Sequence, residues 1–134
     1  MSSSHSHQVV ITGIGLVSSH GIGVEAHENL LFNQDFVAPV IDNELIAPYP
    51  VHPLPEIDWG EQIPKRGDQR QMGNWQRLGV YSAGLALEDA GFKDDLEACS
   101  KMDMIIAAGG GERDIDVDTM VVEKARKDPK IGEM

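Results

Sequence analysis

The chain has 134 residues and a single cysteine, so no internal disulfide can form. One free thiol suits a reducing compartment, and the chain reads as cytoplasmic. Long apolar runs are missing as well. None approaches the ~20 residues that span a bilayer, which excludes a transmembrane helix. The opening MSSSHSHQ has neither a basic n-region nor an apolar h-region, so residues 1–8 read as a flexible leader. Gly-Lys-Ser and Gly-Lys-Thr are absent, which removes a Walker A loop. Most telling, residues 1–64 contain no Lys or Arg at all.

What is present sets the class. At 41% apolar residues the chain can build one compact domain with a modest core, over residues 9–134. Four blocks supply it, at 9–14, 24–32, 75–90 and 104–108. Net charge is −11, from 22 acidic and 11 basic side chains, which argues against binding to nucleic acid or an anionic membrane. Against that background Lys65, Arg66, Arg70 and Arg77 arrive together, opposed only by Asp68. A local basic patch on an acidic protein suits an acidic partner.

Residues 9–12 read as a buried strand, β-branched and uncharged, ended by Gly13. After a turn at Gly21–Gly23, VEAHENLLF reads as a helix with Glu25 near its positive end and Ala26, Leu30 and Leu31 inward. Six prolines between 39 and 64 exclude a regular helix there. That stretch reads as an extended connection with strand pieces at 37–41 and 57–59, pinned to the body by Trp59. Asp68 and Gln71 have the spacing of a capping box before MGNWQRLGVYSAGLALEDAG. This helix places Met72, Trp75, Leu78, Ser82, Leu85 and Ala86 or Leu87 inward and ends at Gly91. Gly79 and Gly84 imply close packing of its face. A second strand at 104–108 ends in Gly109-Gly110-Gly111, and residues 115–127 can be helical before Pro129.

Several motifs fall short of the chemistry they imitate. Gly13-Ile14-Gly15 supplies G-x-G, but Ser18 stands where a dinucleotide-binding loop needs its third glycine, and a further turn delays the helix. Asp114, Asp116 and Asp118 open like a calcium loop, yet Thr119 and Ala125 occupy the positions of its required Gly and Glu. His5, His7, His20, His27 and His52 show no metal-ligand spacing. Cys99 follows an acidic helix end, with Glu97 and Asp103 opposing a thiolate, so it reads as a bystander. No cofactor and no metal is expected.

Three segments carry a family likeness: VVITGIGLVSSHGIGVEAHENLLF, QRQMGNWQRLGVYSAGLALEDAGF and MIIAAGGGERD. In this order and spacing they resemble the N-terminal part of the β-ketoacyl-[acyl carrier protein] synthases, condensing enzymes of the thiolase fold. The likeness covers most of residues 8–114 and is thinnest in the proline-rich loop. It departs at MGNW, where the family often has Met-Asp and an aromatic, and in the DIDVD stretch. It implies an α/β, thiolase-like fold, of which this is the N-terminal part of the first βαβ half with a proline-rich connecting loop. It also implies a homodimer that condenses acyl and malonyl carrier-protein thioesters in fatty acid elongation.

In that family a cysteine thiolate accepts the acyl chain, and two further residues, usually histidines, promote decarboxylation of the malonyl group. None of those catalytic positions falls in this chain, so alone it is expected to be inactive. Two sites do carry over. Lys65, Arg66 and Arg70 match the stretch that docks the acidic acyl carrier protein. Gly109, Gly110 and Gly111 match the segment lining the acyl pocket near the subunit interface, where a glycine at 110 leaves room for a longer chain. Two alternatives remain: a noncatalytic α/β module that binds a protein through the basic patch, or a nucleotide-binding domain.

Overall fold

A computed structural model describes residues 8–32, 38–107 and 115–127. Two short strands, β1 (Val17–Ser18) and β2 (Gly21–Ile22), form an antiparallel hairpin that runs directly into α1 (Gly23–Phe32). The Gly23 N–H donates to the Leu16 carbonyl at 2.8 Å and closes this unit. A long connection follows, ending in a single 3₁₀ turn at Trp59–Glu61. Four helices complete the described chain: α2 (Arg66–Gln71), α3 (Asn74–Asp89), α4 (Leu96–Cys99) and α5 (Ile115–Lys127).

Helix α3 is the organising element, and its ends are fixed by local chemistry. At its start the Gly73 N–H donates to the Gln76 side-chain oxygen at 2.9 Å, satisfying one orphan donor. At its end Phe92 N–H reaches the Leu87 carbonyl at 2.8 Å and Gly91 N–H the Glu88 carbonyl at 3.0 Å. That pair of bonds is a Schellman motif, and Gly91 supplies the φ of +74° that it needs. Asp68 and Gln71 do not cap α3. They lie inside the separate helix α2, because the chain turns extended at Met72 before α3 begins.

The core of the described residues is small: Tyr81 at 0% exposure and Ile63 at 4%. The 3₁₀ turn closes over it, with the Trp59 ring edge-on to Tyr81 at 5.8 Å. Trp59 does pin the connection to the body. The turn replaces the strand expected at 57–59, because Asp58 accepts from the Gly60 N–H at 2.8 Å and bends the chain. Upstream, Asp42 pairs with Val51 in an isolated bridge, and its carboxylate accepts from the N–H groups of Glu44 and Leu45 at 2.8 Å each. Those two bonds hold the Asp42 carboxyl below its usual pKa.

The segment around Gly13 and Gly15 lies against α3. A methyl group on Gly15 would strike the Ser82 carbonyl, and one on Gly13 the Ala86 carbonyl and Ala90. The Ile14 N–H donates to the Asp89 carboxylate at 2.9 Å and fixes the register. These glycines therefore let backbone approach backbone. Gly84 instead makes room for the Gln62 side chain, whereas Gly79 faces open space.

Two expectations of burial are not met. Residues 9–12 and 104–107 carry no regular secondary structure and pair with no strand among the described residues. Val9 and Ile105 are each 95% exposed. A strand of this composition is buried only when neighbouring strands and a covering layer supply both faces. In α1, Ala26 and Leu30 are half-buried as expected, but Leu31 is exposed.

Candidate functional site

The basic cluster sits on α2 and its entry. Lys65 is extended and precedes the helix without a side-chain cap. Its carbonyl accepts from the N–H groups of Asp68 and Gln69 at 3.0 and 3.2 Å. Lys65, Arg66 and Arg70 are all exposed, and none forms an ion pair with a described residue. Two of these cations stand at the positive end of the helix, where the dipole disfavours them. Helix stability therefore does not explain them. Arg70 lies in the last turn, where a cation is favoured.

Helix α2 is held from beneath. The Gln69 side chain donates to the carbonyl of buried Ile63 at 2.6 Å. Beside it the Tyr81 hydroxyl donates to the Glu61 carboxylate at 2.5 Å. Burial, then the bond to Glu61, then the charges of Glu61, Asp58 and Glu88 push the Tyr81 phenol up to about 12. Arg77 stacks its guanidinium over the Trp59 ring at 5.4 Å and donates to the Asn74 side chain at 2.6 Å. The Gln62 amide donates to Glu88, which also pairs with Lys93 at 2.9 Å. Lys93 first, and Gln62 second, hold the Glu88 carboxyl below its usual pKa.

An open groove of about 460 Å³ lies between the proline-rich connection and the start of α3. Leu54, Pro55, Ile57 and Trp59 make one wall, and Asn74, Trp75 and Leu78 the other. Only Asn74 is polar. The sequence had placed Trp75 and Leu78 on an inward face; in the structure that face ends in this groove, with Trp75 42% exposed.

The residue that reasoning from sequence missed is Tyr81. It lies three positions after Leu78, on the face already assigned to the interior. That spacing was the available signal. Its partner Glu61 comes from a loop twenty residues earlier, which no local pattern reveals.

A second polar cluster joins the hairpin to α1. The Gly23 carbonyl can only accept, so His27 Nδ1 donates to it at 2.7 Å. His27 Nε2 then accepts from the Ser18 hydroxyl at 2.8 Å, while His20 N–H donates to Ser18 Oγ at 3.1 Å. Ser18, the residue that breaks the G-x-G-x-x-G pattern, thus locks the hairpin to its helix. Cys99 closes α4 and directs its thiol to the Phe92 carbonyl at 3.4 Å, a structural contact.

Gly109, Gly110 and Gly111 lie outside the described residues. Among the described residues no group of three His, Cys, Asp or Glu side chains is placed to hold a metal ion. No described helix is long and apolar enough to cross a membrane. In comparisons with known proteins, no family model, curated protein or solved structure matches this chain.

Proposed function

We propose that this chain is the N-terminal part of a β-ketoacyl-[acyl carrier protein] synthase and that it carries the surface on which the acidic carrier protein docks. The observation that carries this reading is helix α2. It presents Lys65, Arg66 and Arg70 to solvent without ion pairs to other described residues, on a chain of net charge −11. Long-range repulsion would turn an acidic partner away from a surface of the same sign, and the cations at the start of α2 offer it a local attraction.

On this reading the chain contributes recognition to a decarboxylative condensation of acyl and malonyl thioesters. The nucleophilic cysteine and its two partner residues belong to other parts of the enzyme. The three cations hold the carrier so that its thioester reaches that cysteine, a gain from positioning rather than bond chemistry.

The test is a binding titration of the 134-residue chain with a holo acyl carrier protein at low and high salt. Reversing all three charges, with Lys65→Glu, Arg66→Glu and Arg70→Glu, should weaken binding by about tenfold at low salt. It should also flatten the salt dependence. Unchanged affinity in the triple variant would remove the docking site and, with it, the strongest support for the family assignment.

A further inference from the structure

We infer that Ser18 is an acyl-accepting nucleophile with His27 as its general base, acting on small activated esters. The inference does not rest on the carrier-docking reading. Its warrant is the order of protons along a chain of hydrogen bonds. The Gly23 carbonyl accepts from His27 Nδ1 at 2.7 Å, so the neutral ring keeps its proton there and leaves the Nε2 lone pair open. That lone pair lies 2.8 Å from Ser18 Oγ, within reach of the hydroxyl proton. A nucleophile, a base beside it and a third group orienting the base form the arrangement that activates a serine. Locking the hairpin to α1 requires only a hydrogen bond of either direction, whereas this direction is the one that general-base chemistry requires.

The surroundings fit the role. The His20 N–H donates to Ser18 Oγ at 3.1 Å and stabilises negative charge there as the hydroxyl proton leaves. Ser18, His20 and His27 are half-buried, so a small reagent reaches the hydroxyl while packing holds its partners. Gly23, which orients His27, has open space where a Cβ would stand. The structure places a nucleophile and a base, so the acyl carbonyl brings its own activation through a good leaving group. In the step, Ser18 Oγ bonds to the carbonyl carbon and the bond from that carbon to the leaving oxygen breaks. The hydroxyl proton passes to His27 Nε2 and from there to the leaving oxygen. Meanwhile the Gly23 carbonyl holds the imidazolium in place.

Incubating the full chain with p-nitrophenyl acetate tests this, with acid quenching at a series of times and the acetyl group located by peptide mass spectrometry. The acetyl group should appear on Ser18 and not on Ser19, its neighbour and internal control. His27→Gln should slow the modification of Ser18 by about 100-fold, the low end for a general base. Ser18→Ala should leave that peptide unmodified while lysines elsewhere still react. Circular dichroism checks that both variants fold, and the site in the native chain is read without either of them. A Ser18 that stays unmodified at every quench time in the native chain overturns the inference. So does acetylation of Ser19 at the same rate, or of Ser18 equally fast in a folded His27→Gln variant. Binding of a carrier protein is a separate measurement, so the two readings stand or fall independently.

Discussion

The Tyr81 hydroxyl donates to the Glu61 carboxylate at 2.5 Å, joining the middle of α3 to the 3₁₀ turn that precedes α2. This bond and the edge-on contact of Trp59 with the same ring fix the turn against the helix. The groove and the basic helix both depend on that junction.

Removing the ring should therefore be costly. Tyr81→Ala is expected to lose about 3 kcal/mol in denaturant unfolding, since Tyr81 is the one fully buried large side chain described. Tyr81→Phe keeps the packing and loses a single bond to an exposed acceptor, at about 1 kcal/mol. Equal losses for the two variants would show that packing does not hold the junction.

Stability should also fall at alkaline pH. The folded phenol titrates near 12, above its ordinary 10, so the unfolded chain releases this proton first. The contribution is complete below about pH 10 and disappears as pH rises toward 12, an effect of up to about 2 kcal/mol. Unfolding curves from pH 9 to 12 should show this decline in the native chain and a smaller one in Tyr81→Phe.

Three glycine substitutions should differ in sign. Gly15→Ala would drive its methyl into the Ser82 carbonyl and should destabilise by more than 1 kcal/mol, roughly the cost of overpacking. Gly91→Ala would put a side chain at a positive φ and cost about 1 kcal/mol. Gly79→Ala meets nothing within 4 Å on an exposed part of α3 and should stabilise by about 0.5–1 kcal/mol. Thermal melts of the three variants check the order.

Ser18 and His27 should behave as one unit. Ser18→Ala and His27→Ala are each expected to cost about 1 kcal/mol, and the double variant little more than either. Additive losses in the double-mutant cycle would mean that the two side chains act separately.

Helix α2 allows function and stability to be separated. Lys65→Gln and Arg66→Gln remove cations from the positive end of a helix dipole, so the melting temperature should hold or rise. Affinity for an acidic partner should nevertheless fall. A loss of stability together with affinity would indicate that these cations serve the fold.

Much of the local structure was legible in the sequence because the signals for it are local. Helix α1 follows from its turn glycines and apolar spacing, α5 from its composition before Pro129, and the end of α3 from Gly91. The basic cluster was equally visible, because an absence of cations through residue 64 makes four in thirteen positions stand out. The capping box failed for a physical reason. The spacing of Asp68 and Gln71 is satisfied inside a short helix, and only the extended backbone at Met72 separates α2 from α3.

The sequence by itself determined which segments are apolar, where helices stop and where positive charge gathers. Only the tertiary structure decided what those segments meet. It put Tyr81 in the core by bringing Glu61 and Trp59 to it, and it assigned Gly13 and Gly15 to contact with α3. It also left residues 9–12 and 104–107 without strand partners among the described residues. Helix ends and turns rest on bonds between near neighbours in the chain, whereas burial depends on surfaces contributed from elsewhere.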